Sequence, residues 1–446
     1  MTIHNNFALF SAAILASTLF FAACSDDSSS APEEKSSHEE ETSHEEHHGH
    51  HMEEPSEGDL TLGDEDIQDG FIFLQDTTIN GVLTVSTTTP GATVLKNVKV
   101  TGNLLIKRSG RVDFSGSADV VHVGSSNTDV YAFEDEAQVN GHHFMGKNNT
   151  FTTKSFAEYQ NVDWTEKSVD LATGIHLAYT VTGDEKGTPV VLIHGLTDGR
   201  VSWSQVAPAL AKKGYRVYVP EYRGNGKTDK PIDESSYSVA ELASDIAAFV
   251  EKLGLKKVHI VGHSLGAFIA QELSITNAEI VSSITLIGSG ASVDKKNATL
   301  DWLVNGTDDE SFDGIYAYDS TQKLPESFIQ AWGYSTNPDK DFQAANLEHL
   351  KQVPYYVWKY LVKNLLKIDN TKRLSSIATD VQIIWGTKDA LFDSESQKTL
   401  QKGLSKAKSV VFHEVEGADH NTHWGSAEDV KTVTGYIDKF IKSLKK

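Results

Sequence analysis

The stretch "VHIVGHSLGAFIAQEL", residues 258–273, decides how this chain is read. Val258 to Val261 is an apolar run rich in β-branched residues, the pattern of a strand buried on both faces. The residues after Leu265 read as a helix, and between the two Gly262 and Gly266 flank Ser264. A chain that turns straight from strand into helix needs positions without a Cβ, and such a turn leaves the serine hydroxyl standing clear at the carboxyl edge of a sheet. Packing does not ask for a hydroxyl there; a nucleophile does. The competing reading is a serine that merely caps a helix.

Context decides between them. From about Val162 onward, apolar runs alternate with amphipathic segments: "PVVLIHG" (189–195), "YRVYVPEY" (215–222), "KVHIVGHS" (257–264), "VSSITLIGSG" (281–290), "DVQIIWGTKD" (380–389) and "SVVFHEVEG" (409–417). This alternation predicts a largely parallel sheet covered by helices on both faces, entered through an antiparallel hairpin over "SVDLATGIHLAYTVTG" from Ser168. "SVAELASDIAAFVEKLG" carries an N-cap serine, Ser238, and a closing glycine, and is predicted to be a helix. A serine nucleophile needs a base and the base needs an orienting carboxylate, in the chain order Ser, Asp, His at the ends of later strands. Asp389 closes "VQIIWGTKD" and His420 follows "VVFHEVEGAD", both where a parallel sheet presents its functional groups. His423, three residues further on, is a second candidate base.

With these residues the segment from Val162 to Leu444 resembles the α/β-hydrolase superfamily, in particular its small esterase-like members. The resemblance implies Ser264 as nucleophile, His420 as general base and then acid, and Asp389 as its orienter. "LIHGL" (192–196) is similar to the family's HG motif, which implies that the backbone N–H groups of Leu196 and Leu265 form the oxyanion hole. "EYRGNGKTDKP" (221–231) resembles a family loop, D-x-R-G-x-G-x-S, with Glu221 and Thr228 substituted. Its "GNGKT" is not a phosphate loop, because Glu221 stands where the first glycine would be and an acid there repels phosphate. Haloalkane dehalogenases and epoxide hydrolases share the scaffold but use an aspartate where this chain has Ser264. The family also inserts a helical cap, expected here over about 291–378, whose many aromatics, Trp302, Trp332 and Trp358 among them, hint at a moderately apolar substrate. The expectation is cleavage of a carboxylic ester without a cofactor or metal; amide, lactone, thioester and carbon–carbon hydrolysis use the same triad.

The amino-terminal part has a different character. "FALFSAAILASTLFFAAC" ends at Cys24, the sole cysteine of 446 residues, so no internal disulfide forms. The run resembles a bacterial lipoprotein signal over residues 1–24, implying export and a lipid anchor at Cys24, on the outer membrane or cell surface. Residues 25–66 are Ser, Glu and His and read as a disordered tether. From Asp26 to Asp69 there are 17 acidic residues against Lys35 alone, so most of the chain's net charge of −22 sits in one solvated stretch, and nucleic acid is excluded as a partner. The tether's histidines, His38 to His51, lack the rigid scaffold a catalytic metal requires.

Residues 67–160 read as all-β. "INGVLTV" at Ile79 and "VTGNLLI" at Val100 are offset by 21 residues, and "VHVG" follows at Val121, a period that suggests a short parallel β-helix; a small β-sandwich is the alternative. His142 and His143 are read as ordinary polar strand positions. The rival to an enzyme is a surface protein in which this β-region holds a polysaccharide and the segment 161–446 is accessory.

Overall fold

The computed structural model describes residues 50–51, 56, 58–132, 137–152, 164–307, 312–318, 324–335 and 337–444. The signal-like segment, Cys24 and the histidines from His38 to His48 lie outside the described residues. Among the described residues no helix is long and apolar enough to cross a membrane.

Ten strands build the amino-terminal region: β1 (His50–His51), β2 (Leu60–Leu62), β3 (Phe71–Ile79), β4 (Leu83–Val85), β5 (Ala92–Val100), β6 (Leu104–Ile106), β7 (Gly110–Val123), β8 (Thr128–Tyr131), β9 (Ala137–Phe144) and β10 (Thr150–Thr152). Every pairing between them is parallel, so the region is a β-solenoid rather than a sandwich. Phe71 sits opposite Ala92 and Leu83 opposite Leu104, which makes the 21-residue offset the rise of one rung. Leu74, Ile79, Leu83, Val98, Leu104, Val121 and Val130 point inward and fill the core. At the corners, side chains of successive rungs bond to one another, Asn97 to Asp76 at 3.0 Å and Asn148 to Asn127 at 3.1 Å. Asn97 and Asn127 adopt positive φ there, a conformation asparagine tolerates better than most residues.

Two details differ from the sequence reading. Val121 lies opposite Leu104, not Val100, because β7 runs straight through the corner that Thr101 to Asn103 make in the rung before. The omitted turn is bridged by hydrogen bonds from Asp119 N–H to Gly102 O (2.9 Å) and from Val120 N–H to Asn103 Oδ1 (3.2 Å). Two strands also lie inside the segment read as tether: His50–His51 form β1 against β3, and "LTL" forms β2, pairs with β4, and buries Leu62. Leu60 faces Leu83, 23 residues on (83 − 60) rather than 21, so β2 falls outside the period seen in the sequence.

The second region has an eight-stranded sheet: β11 (Thr165–Asp170), β12 (His176–Thr182), β13 (Thr188–Ile193), β14 (Tyr215–Pro220), β15 (Val258–His263), β16 (Val281–Ile287), β17 (Asp380–Gly386) and β18 (Ser409–Val415). Its order is β11-β12-β14-β13-β15-β16-β17-β18, antiparallel at the β11–β12–β14 edge and parallel throughout the rest. Helices α1 (Val206–Ala211), α2 (Val239–Lys252) and α3 (Leu265–Thr276) follow β13, β14 and β15. Ser238 caps α2 by accepting from Glu241 N–H. Between β16 and β17 come α4 (Ala298–Asn305), α5 (Glu326–Trp332), α6 (Lys340–Gln352) and α7 (Tyr355–Leu365), the inserted cap; α8 (Ser394–Gly403) and α9 (Ala427–Ser443) complete the layers. Trp302, Phe312, Phe328, Trp332 and Trp358 pack on one another, stacked, tilted or edge to face, with ring centroids 4.3–6.5 Å apart, so these aromatics build the cap's own core.

The solenoid packs against this cap. Phe71 meets Tyr356 edge to face at 5.0 Å, and Phe71 and Ala92 join the apolar core of the α/β region. Arg111, held in a fork by Asp113 at 2.7 and 2.8 Å, donates to Gln352 O at 2.8 Å and lies 4.0 Å over the Tyr131 ring. Lys96 pairs with Asp229 at 2.6 Å.

Candidate active site

β15 ends at His263 and α3 begins at Leu265, so Ser264 alone makes the junction. Its backbone, at φ 50° and ψ −117°, lies outside the regions L-residues favour, a strain on the order of 1–3 kcal/mol that the surroundings must hold. They do so from both sides: its N–H donates to Ile287 O and its carbonyl accepts from Ala267 N–H, each at 2.9 Å. A Cβ on Gly262 would collide with the carbonyl of Gly266, and one on Gly266 with the carbonyls of Ile193 and His194. Backbone contact therefore dictates the spacing of the two glycines and sets α3 against the end of β13. The serine side chain makes no capping bond, which removes the alternative reading of Ser264 as a helix cap.

Asp389 and His420 come together in the loops after β17 and β18. Asp389 Oδ2 lies 3.0 Å from His420 Nδ1, while Oδ1 accepts from the N–H groups of Leu391 (2.8 Å) and Phe392 (3.1 Å). An ionised carboxylate only accepts, so the proton of neutral His420 sits on Nδ1 and Nε2 keeps its lone pair. Burial opposes protonation of His420, but the adjoining Asp389 carboxylate, with Asp419 and Asp198 behind it, lifts its pKa above the ordinary imidazole value. Gly288, next to the residue that anchors Ser264, is packed against the His420 ring. His263, the other neighbour of Ser264, has Nε2 at 3.1 Å from His420 O. Ser264, Asp389 and His420 thus gather at one sheet edge. His423, the second candidate base, has no carboxylate bonded to it. It is wholly buried among Trp203, His263 and Trp424, neither ring nitrogen has a hydrogen-bond partner, and burial pushes its pKa well below the usual value.

The loop after β13 is held from behind. Tyr222 Oη donates to Gly195 O at 2.5 Å, His194 Nδ1 lies 3.0 Å from the same oxygen, and the Tyr222 and His194 rings stack at 4.0 Å. In a trans peptide C=O and N–H point opposite ways. Fixing Gly195 O on the Tyr222 side therefore aims Leu196 N–H away from it. Leu265 opens α3, so its N–H is one of those no carbonyl of the helix can satisfy. Gly266, next to Leu265, lies directly against the carbonyls of Ile193 and His194 at the start of this loop.

The substituted positions of the 221–231 loop have structural work. Glu221 is buried, accepts from Arg200 N–H at 3.3 Å and faces the Arg200 guanidinium at 3.6 Å, which in turn reaches Glu166 at 2.7 Å. Thr228 Oγ1 donates to Glu221 O (2.5 Å) and accepts from Ala178 N–H (2.9 Å), locking the loop to β12. Sequence reasoning passed over Tyr222, His194, Asp198 and His263; the signal it had was their place at the carboxyl ends of β13, β14 and β15. Among the described residues, no group of three His, Cys, Asp or Glu side chains is arranged to hold a metal ion.

Residues 188–427, more than half the chain, match the family model described as alpha/beta hydrolase fold. The chain belongs to that family. Among curated proteins it is similar to epoxide hydrolase 1 of Caenorhabditis elegans, 26% identical over 318 residues, 67% of this chain and 76% of that protein. It is also similar to 2-hydroxy-6-oxononadienedioate/2-hydroxy-6-oxononatrienedioate hydrolase 1 of Pseudomonas putida, 28% identical over 61% of this chain and 93% of the relative. Among solved structures, an esterase from Exiguobacterium antarcticum superposes with a TM-score of 0.52 at 19% identity, over 63% of this chain and 99% of the other, a likeness of fold. The chain is an enzyme of the alpha/beta hydrolase superfamily.

Proposed function

We propose that this hydrolase cleaves carboxylic esters through an acyl-enzyme formed on Ser264. The observation that carries the reading is Ser264 in a strained, uncapped elbow on the sheet edge that also holds the oriented Asp389–His420 pair. His420 Nε2 takes the hydroxyl proton as Ser264 attacks the carbonyl, Asp389 stabilises the imidazolium, and the backbone N–H groups of Leu196 and Leu265 receive the oxyanion. Each such donor is commonly worth about 3 kcal/mol of barrier. The proton then passes from His420 to the departing alcohol, and water, activated by the same base, releases the acid. Phe392, 5.8 Å from the His420 ring and 5.8 Å from Phe268, supports a moderately apolar small-molecule substrate.

A second reading, carbon–carbon bond hydrolysis by the same triad, is favoured by the Pseudomonas putida relative, which the chain covers over 93% of its length. Turnover of p-nitrophenyl esters of graded chain length, beside lactones and 2-hydroxy-6-oxo-dienoates, separates the two. Ester turnover lost in Ser264→Ala supports the proposal, and turnover confined to the dienoates overturns it. We further place the enzyme in the bacterial envelope, anchored at a lipidated Cys24, on the strength of the run ending "FFAAC"; radiolabelled palmitate incorporation lost in Cys24→Ala tests this. Polysaccharide contact by the solenoid belongs to the same proposal, its candidate place being a cavity of about 320 Å³ between Phe73, Lys96 and Tyr131 and the 227–233 loop. Co-sedimentation of the chain with insoluble glycans checks it.

A further inference from the structure

Behind Ser264 lies a pair of groups that the triad does not use. His263 is 1% exposed and Asp198 6%. Nε2 of His263 faces His420 O at 3.1 Å, and because a carbonyl only accepts, that contact is a hydrogen bond when Nε2 carries the proton. Nδ1 has no hydrogen-bond partner, and the Asp198 carboxyl stands 3.6 Å from it. Both groups close over Gly195, where a Cβ would lie 2.6 Å from Asp198 Oδ2 and 2.8 Å from His263 Nδ1.

Counting protons fixes what the pair does. With two protons, one between Asp198 and Nδ1 and one on Nε2, His263 satisfies both neighbours. With one proton the imidazole has a single N–H. It either donates to the Asp198 carboxylate or holds the His420 carbonyl, not both. We infer that Asp198 is a positioning residue for the catalytic base, acting through His263: its protonation decides whether His263 clamps the backbone of His420 or turns its N–H to Asp198. This rests on His420 being the base of the proposed hydrolase.

The surroundings agree. Burial lifts the Asp198 carboxyl to about 6 and drops His263 to about 3, so the second proton resides on Asp198 and leaves close to neutral pH. Other groups facing the pair come from the adjoining elements: the Tyr222 phenol beside Asp198, and the Asp389 and Asp419 carboxyls, from the loops after β17 and β18, toward His263. His194 at the end of β13, held by burial to about 4, His349 from α6 and His423 before α9 are kept neutral by burial. Glu221 at the end of β14 stays ionised against its burial because Arg200 adjoins it. His420 feels the Asp198 charge directly, which adds to its raised pKa.

The test is Asp198→Asn, whose amide donates to Nδ1 at every pH and carries no charge. His263 then holds His420 O permanently, and His420 loses its proton at lower pH. The ratio of kcat/KM at pH 6 to that at pH 8, on a p-nitrophenyl ester, should rise about twofold or more, with kcat at pH 8 no lower than wild type; Asp198→Ala, which offers no donor, should lose kcat. An unchanged ratio overturns the inference, since a merely structural role lowers both values together. Histidine 15N NMR of the wild type tests the same point without turnover: His263, assigned through His263→Gln, should pass from the Nε2–H to the Nδ1–H tautomer between pH 5 and 8, and a constant tautomer refutes it. Fluorophosphonate labelling of Ser264 in wild type and Asp198→Asn separates the failures. Labelling with an unchanged ratio removes the Asp198 inference alone, and absent labelling removes the hydrolase reading as well.

Discussion

Tyr222→Phe tests whether the Gly195–Leu196 peptide is the oxyanion donor. The substitution deletes one hydroxyl and leaves the ring stacked on His194, so no cavity opens. What is lost is the 2.5 Å bond to Gly195 O; His194 Nδ1, 3.0 Å from the same oxygen, remains. Burial holds the Tyr222 phenol far above its usual pKa, so it is a donor throughout the working pH range. A net hydrogen bond is worth about 1 kcal/mol. The penalty for a peptide plane free to rotate is bounded by that bond. Since 1.36 kcal/mol is tenfold in rate, kcat should fall about fivefold, against the 10²- to 10³-fold that follows complete loss of an oxyanion donor. KM should change little, because the donor strengthens as charge develops. Stopped-flow turnover of a p-nitrophenyl ester, paired with the rate of fluorophosphonate labelling, measures both effects. A folded variant with wild-type kcat refutes the assignment of Leu196 N–H, and a loss beyond about 100-fold means that Tyr222 acts on the substrate itself.

The other expectations are more direct. Asp389→Asn keeps the acceptor for Leu391 and Phe392 but not the carboxylate facing His420, so kcat should fall about 10⁴-fold with an unaltered melting curve; a loss under tenfold would remove Asp389 from the triad. Because His420 must be neutral to act and its pKa is raised, chiefly by Asp389 acting against burial, kcat/KM should be lost as pH falls through a midpoint above that of free imidazole. A pH–rate profile with its acidic midpoint below that value contradicts the arrangement. Arg111→Ala leaves Asp113 largely buried without its partner and breaks the bond to Gln352 O, a change of about 3–5 kcal/mol. Hydrogen exchange should quicken in residues 350–358, and unchanged protection there would mean that the solenoid does not brace the cap.

The elbow was legible in sequence because its requirements are local. Gly262 and Gly266 are glycines for reasons of backbone contact, and β-branched strands beside capped helices announce a parallel sheet. Asp389 and His420 were legible through their position after later strands, which the sheet order brings together. The solenoid showed itself where rungs repeat at 21 residues; its register was misread where β7 skips a corner, and β2 was missed because Leu60 faces Leu83 off that period. The cap aromatics hinted at an apolar pocket, because composition does not record which way a ring points; in the fold they face one another. Asp198, His263 and Tyr222 carry no periodic or motif signal. Each matters through one contact with a residue far away in the chain, and only the folded backbone creates those contacts.

Whether Ser264 is the nucleophile is read out by mass spectrometry of the protein after reaction with a fluorophosphonate. A Ser264 nucleophile gives one adduct per chain, mapped to the peptide containing Ser264, absent from Ser264→Ala and slowed sharply in His420→Ala. Folded wild-type protein that stays unlabelled, or an adduct on any other residue, would contradict it.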